Sequence, residues 1–232
     1  MRENTSGQEQ NNSRQVVVGA GALMLPGELT IPPEAHGIVV LGHGIANRES
    51  ISFYSSMAKA FQASNLATLY LNLFTLDEEG LDQETGALRT DVSVMEQRFT
   101  GTASWLSETP ETQHFGIGYF GTEASGAAAL IAAAERPDLV HAVVSCGGYV
   151  DLAEKDLPRV QAPTLFIVGE NEAQSVITVH QQALSQLSLL NETNKKLETL
   201  RGVGNLFEGT NTLEQAAQLA SQWFAKHLER IM

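Results

Sequence analysis

A glutamate occupies the position in this chain where the surrounding pattern requires a nucleophile. Residues 114–135 read HFGIGYFGTEASGAAALIAAAE, which predicts an apolar strand, a turn of small residues and an alanine-rich helix. This is the setting of a nucleophile elbow, normally G-x-S-x-G, which exposes a serine above a parallel sheet. The sequence keeps this frame but replaces the attacking residue, because the turn reads Gly121-Thr122-Glu123-Ala124-Ser125.

Strands alternate with helices along the chain, and this order predicts the fold class. Five segments have the continuous apolar character of strands buried on both faces: 37–42, 66–73, 114–120, 139–145 and 162–169. The alternation implies parallel pairing with right-handed crossovers, so we expect an α/β protein with a mostly parallel central sheet and helices on both faces. A disordered polar tail is expected over 1–15, followed by one domain over 16–232 that opens with a hairpin of strands at 16–18 and 24–31.

The loops that follow the strands are the expected place for a site, since ligands bind beyond the carboxyl ends of strands in open parallel sheets. Five loops qualify, at 43–50, 74–90, 121–125, 170–175 and 202–208. The acidic stretch 77–91 lacks the ligand spacing of a calcium loop and is predicted to be a solvated lid. No metal and no cofactor are expected.

The chain from about 24 to 231 resembles the α/β-hydrolase fold, in particular its dienelactone hydrolase-like branch. The resemblance rests on GHG at 42–44, GYFGTEASGAAALIAAAERPDLV at 118–140, SCGG at 145–148, APTLFIVG at 162–169 and GNLFE at 204–208. It implies a nucleophile, an acid and a histidine in that chain order. By position it assigns the nucleophile to Glu123, the acid to Glu172 with Glu170 as its rival, and the base to Asn205.

The resemblance also implies an oxyanion hole made of backbone N–H groups. Its donors would be Ile45 and Ala124, and these donors are independent of side-chain identity. The pocket around them is expected to contain His43, Gly44, Arg48, Gly121, Thr122 and Ser125.

Three interpretations of Glu123 follow. It could attack as a carboxylate nucleophile, but releasing the ester intermediate needs a base, and the amide of Asn205 cannot accept a proton. It could pair with Glu172 for acid–base work or to bind a hard cation. The interpretation favoured by the residues is that Glu123 fills the former site, neutralised by Arg48 and amide donors as a polar plug, although Arg48 fits a solvated loop position equally well.

Other nucleophiles fit the pattern less well. Centring the elbow on Ser125 or Thr122 breaks the glycine spacing, and Ser125 is expected to cap the first helical turn. Cys146, at the end of a strand and without a basic neighbour in sequence, reads as a small buried residue. None of the six histidines takes the position of the missing base by sequence.

The charge composition of the chain argues against two classes of binding partner. The formal net charge is −13 and no Lys/Arg cluster occurs, which disfavours nucleic acid and anionic membrane surfaces. With a single cysteine and no apolar leader segment, the chain is interpreted as cytoplasmic.

The first functional hypothesis is a non-catalytic protein with a binding, scaffolding or regulatory role toward an unidentified protein or small molecule. The alternatives are a hydrolase of small esters or lactones with a non-standard site, and a ligand- or cation-binding module in the former pocket.

Overall fold

The computed structural model describes residues 13–44, 48–201 and 210–228 of the 232-residue chain. Eight strands form one sheet: β1 Ser13–Ala20, β2 Leu23–Thr30, β3 Gly37–His43, β4 Ala67–Asn72, β5 Gly116–Thr122, β6 Val140–Gly148, β7 Thr164–Gly169 and β8 Lys195–Leu200. The helices are α1 Arg48–Ala63, α2 Leu76–Thr85, α3 Val92–Glu108, α4 Glu123–Glu135, α5 Gln174–Gln186 and α6 Thr210–His227.

The strand order is β1-β2-β4-β3-β5-β6-β7-β8. Among the strands of the described residues, the β1–β2 and β2–β4 pairs are antiparallel and the other pairs are parallel. Strands β3, β5 and β7 are buried along their whole length, as continuous apolar runs predict. The predicted α/β architecture with a mostly parallel sheet is confirmed.

The core has two parts, one on each face of the sheet. Helices α3 and α4 contribute to the part that contains Val40 and Tyr119, whereas α1 and α6 contribute to the part that contains Leu41 and Phe120. Neighbouring residues of a strand point to opposite faces, so each central strand supplies apolar side chains to both. Consequently the elbow follows a strand, β5, that lies in the buried middle of the sheet.

The first strand starts earlier than the polar composition suggested. Residues 13–15 pair with residues 28–30 of β2, and the Ser13 hydroxyl donates to Glu28 over 2.8 Å. Arg14 also forms an ion pair with Glu111. These cross-strand contacts stabilise an exposed edge strand that hydrophobicity alone does not indicate.

The acidic stretch predicted to be a solvated lid is largely helical. Thr75 and Glu78 form a capping box at the start of α2, a signal that was present in the sequence as T-L-D-E. Asp82 is fully buried and accepts hydrogen bonds from the backbone N–H groups of Leu88 and Arg89, at 2.7 and 2.9 Å. The expectation of a loop was therefore wrong for Leu76–Thr85, because a local cap and a buried carboxylate order it, whereas the segment is mostly exposed to solvent as expected.

Candidate functional site

The turn between β5 and α4 has the conformation of an elbow. Glu123 has a φ of +48°, in the left-handed region that non-glycine residues rarely adopt. A Cβ on Gly121 would lie 2.6 Å from the carbonyl oxygen of Ser125, so only glycine permits the strand to approach the helix this closely. The chain thus places a glutamate on the sharp strand-to-helix turn that the sequence pattern predicted.

A cluster of hydroxyl groups lies under this turn. The N–H of Thr122 donates to the Tyr54 hydroxyl at 3.1 Å and to the Ser125 hydroxyl at 3.0 Å. Ser125 in turn donates to the Thr122 carbonyl at 2.8 Å, and Tyr54 donates to the Gly42 carbonyl at 3.2 Å. Both Tyr54 and Ser125 are buried, so the Ser125 hydroxyl is occupied in holding the turn and is not presented to a substrate.

The Glu123 side chain is exposed. Within the described part of the chain it makes no hydrogen bond or ion pair, whereas its backbone carbonyl accepts a hydrogen bond from the Tyr149 N–H at 3.0 Å. This differs from the expected plug that fills the former site, because a left-handed elbow directs its side chain away from the sheet. The side chain of Arg48 and all of Asn205, the expected partners, lie outside the described residues.

The acid position follows β7. Glu170 is exposed and Glu172 is partly buried. Tyr149 is 44% exposed; partial desolvation raises the pKa of its phenol, and the negative charges of Glu123 and Glu172 raise it further. The fold therefore brings the nucleophile position and the acid position to the same tyrosine.

Sequence reasoning missed Tyr149. The residue follows β6, whose carboxyl end opens onto the same edge of the sheet as β5 and β7, yet the loop after β6 was not among the five loops considered. An isolated bridge between Glu123 and Gly148 holds this loop against the elbow. The signal that could have found Tyr149 is its position immediately after the glycine pair that ends a buried strand.

Two buried imidazoles are held in structural contacts. The Nδ1 atom of His43 lies 2.8 Å from the Gly44 carbonyl, and its ring stacks on Tyr70 with centroids 4.8 Å apart. The Nδ1 atom of His180 lies 2.9 Å from the Val176 carbonyl. Burial lowers the pKa of both histidines, which keeps them neutral at physiological pH.

Of the two expected oxyanion-hole donors, Ala124 lies within the described residues and Ile45 does not. Ala124 is buried in the first turn of α4, where free N–H groups and the helix dipole favour negative charge. Gly44 is partly buried after β3, and Ile45 lies outside the described residues. The Glu123 carboxylate shares the favourable end of α4 with any anion that would bind there.

The Cys146 thiol is not a candidate nucleophile. It is fully buried in β6, and burial raises the pKa of its thiol to about 12. Across the part of the chain that the structure describes, no three His, Cys, Asp or Glu side chains are grouped so that they could hold a metal ion. Among the same residues, no helix has both the length and the apolar character required to cross a bilayer.

The fold and the elbow define the chain as an α/β-hydrolase. A solved dienelactone hydrolase from Anabaena variabilis is 42% identical to it, covers 95% of this chain and 100% of its own, and has a TM-score of 0.88. The chain belongs to the dienelactone hydrolase family. The esterase Est1E from Butyrivibrio proteoclasticus shares the fold with a TM-score of 0.72 at 13% identity, over 91% of this chain and 98% of its own.

A second relative is longer. A Mycobacterium tuberculosis protein, provisionally named a phosphoribosyl transferase, is 36% identical over 214 residues, or 92% of this chain. The match covers 46% of that protein, so the chain spans less than half the length of the curated relatives it matches. No protein-family profile matches the chain.

Proposed function

We propose that this chain is a non-catalytic member of the dienelactone hydrolase family with a binding, scaffolding or regulatory role. The observation that carries the proposal is the exposed Glu123 on an otherwise regular elbow. Ester hydrolysis in this family requires a nucleophile activated by a histidine that a carboxylate orients. By the sequence resemblance, the positions of nucleophile and base fall to Glu123 and Asn205, which are neither the serine nor the histidine that this chemistry uses.

The remaining nucleophiles near the elbow support the same proposal. The Ser125 hydroxyl is engaged with Thr122, and the Cys146 thiol is buried with a raised pKa. His43 and His180 are buried and occupied by backbone carbonyls on Nδ1. With Nδ1 bonded to a carbonyl, Nε2 is the remaining acceptor of each ring, and burial lowers the pKa of both histidines, which weakens them as bases.

The first test is hydrolysis of short-chain p-nitrophenyl esters by the wild type and by Glu123→Ala, purified identically. We expect both to remain near the buffer background. Turnover that is lost in Glu123→Ala, in a variant whose circular dichroism and unfolding midpoint are unchanged, would overturn the proposal.

A gain-of-function test is sharper. The triple variant Glu123→Ser, Glu172→Asp, Asn205→His restores a serine triad on the existing elbow. Because a positioned base typically contributes about 100-fold or more, we expect esterase activity at least about 100-fold above background. Glu123→Ser alone is the matched control and should stay inactive, since its hydroxyl has no base.

A hydrolase of small esters or lactones is the second candidate, favoured by the 42% identity with a dienelactone hydrolase over 95% of this chain. It requires Glu123 or Glu172 to act in an unfamiliar arrangement. Single substitutions of either residue by alanine would then abolish lactone turnover.

Cation binding at the elbow is the third candidate, favoured by the convergence of Glu123 and Glu172 on Tyr149. A divalent cation should then raise the unfolding midpoint of the wild type and leave that of Glu123→Gln unchanged. The absence of a shift across Mg²⁺, Ca²⁺ and Mn²⁺ would exclude it.

A further inference from the structure

We infer that a cavity between β8 and α6, distinct from the elbow, binds a small organic anion with an apolar body. Its volume is about 360 Å³, within the range of small-molecule sites. The inference is independent of the function proposed for the elbow.

The cavity lies toward the opposite end of the sheet from Glu123. Leu165 and Lys196, which both line it, are paired at the amino-terminal ends of parallel strands β7 and β8. Glu123 follows the carboxyl-terminal end of β5. Since all these strands are parallel, a ligand in the cavity would not reach the elbow.

The floor of the cavity is apolar. It contains Leu165, Leu219 and Trp223, of which Leu165 and Trp223 are 2% and 7% exposed. The indole Nε1–H of Trp223, near the carboxyl-terminal end of α6, donates to the Pro163 carbonyl at 3.3 Å, and this hydrogen bond holds the ring in place. A fixed aromatic floor favours a flat apolar ligand body, because burying it removes apolar area from water without reordering the site.

Among the described residues, the one charged side chain at the rim without an ion-pair partner is a lysine, Lys226. Lys196 forms an ion pair with Glu198, and the largely exposed Glu192 pairs with Lys195 at 3.4 Å. Lys226 has only neutral contacts among the described residues: its ammonium donates to the Thr193 carbonyl at 3.2 Å and lies 5.6 Å from the Trp223 ring centroid. A cation held over an apolar floor is the arrangement that binds a carboxylate or phosphate carried on an apolar group.

The test uses the indole N–H resonances of the intact chain. There are two tryptophans, and Trp105 lies near Gly19 at the other edge of the sheet, so its resonance is an internal control. Benzoate and phenyl phosphate are titrated to about 20 mM, a range that detects millimolar dissociation constants. Acetate, inorganic phosphate and neutral benzamide serve as probes that carry only the charge or only the ring.

Benzoate or phenyl phosphate should shift the Trp223 resonance saturably and leave that of Trp105 unchanged, and the tighter of the two identifies the headgroup. The charge-only and ring-only probes should bind more weakly than benzoate. Lys226→Met should weaken benzoate binding by up to about fivefold, since one exposed charge contributes up to about that factor. Lys59→Met, an exposed lysine on α1, is the matched control.

Two outcomes would overturn the inference: no saturable shift with either anion, or equal binding by wild type and Lys226→Met. Glu123→Ala should bind benzoate like the wild type. Failure at this cavity would therefore leave the elbow proposal untouched, and activity found at the elbow would leave this inference untouched.

Discussion

The hydroxyl oxygens of Tyr54 and Ser125 lie 3.2 Å apart and share the backbone N–H of Thr122, the last residue before Glu123. Tyr54 belongs to α1 and Ser125 to α4, which cover opposite faces of the sheet. The shared hydrogen bond therefore connects the two layers at the point where the chain enters its left-handed turn. The elbow is held by buried hydroxyls whatever side chain it presents.

Removing the Tyr54 hydroxyl should destabilise the fold. Tyr54→Phe leaves the Gly42 carbonyl without this donor and removes one of two acceptors from the Thr122 N–H, so we expect the free energy of unfolding to fall by about 1–3 kcal/mol. Tyr70→Phe is the control, because the Tyr70 hydroxyl has no hydrogen bond within the described residues. Equal losses in guanidinium denaturation would contradict the role given to the network.

The left-handed φ of Glu123 should be measurable as strain. Glu123→Gly should be more stable than Glu123→Ala by about 1 kcal/mol, because glycine adopts a φ of +48° without a Cβ clash. At the exposed helical residue Glu214 the order should reverse, with glycine about 1 kcal/mol less stable than alanine. Chemical denaturation of the four variants provides the comparison, and the same sign at both positions would refute the strain.

Gly121 should tolerate no side chain. Gly121→Ala places a Cβ 2.6 Å from the backbone oxygen of Ser125. We expect the free energy of unfolding to fall by about 1–3 kcal/mol or more. Gly80→Ala in α2 is the matched change, since nothing lies within 4 Å of its added Cβ. That variant should be neutral or up to about 1 kcal/mol more stable. Similar thermal midpoints for the two would show that the turn can relax.

The Cys146 thiol should not react with thiol reagents in the native protein. It is fully buried in β6 and is the only cysteine of the chain. We expect Ellman's reagent to label it at pH 8 only when guanidinium unfolds the protein, with a labelling midpoint equal to the unfolding midpoint seen by circular dichroism. Rapid labelling without denaturant would mean that β6 opens locally.

Alkaline pH should lower the free energy of unfolding at pH values where the buried thiol and phenol of the folded protein are still protonated. Burial raises the pKa of the Cys146 thiol from 9.0 to about 12, and that of the Tyr54 phenol from 10.0 to about 12. Below pH 9 both folded and unfolded chains keep these protons, so the stabilisation is complete. Above it the unfolded chain releases them first and binds fewer protons, so the free energy of unfolding falls as the pH approaches 12.

The contribution of the thiol can be isolated. Between pH 9 and 11 the wild type should lose about 2–3 kcal/mol more than Cys146→Ala, because each pH unit in this range is worth up to about 1.4 kcal/mol per group. Urea denaturation at both pH values measures the difference. Parallel losses in the two proteins would place the alkaline sensitivity elsewhere.

Much of the elbow was accessible from sequence because it depends on local features. A buried apolar run, a glycine at 121 and an alanine-rich helix specify a sharp strand-to-helix turn by sterics alone. The start of α2 was also predictable from local sequence, because Thr75 and Glu78 form its capping box. The acidic composition of the segment nevertheless favoured the prediction of a loop. The buried contacts of Asp82 were not readable, because they depend on where the chain returns after the helix.

By itself, the sequence determined the order of elements, the parallel sheet and the replacement of a nucleophile by Glu123, since these follow from hydrophobic period and residue identity. Only the tertiary structure decided that Glu123 is exposed, that Tyr149 lies by both carboxylate positions and that Tyr54 supports the turn from the opposite layer. The physical reason is that these relations join residues from separate strands and helices. Their proximity is set by the order and register of the strands, which no single segment of the chain encodes.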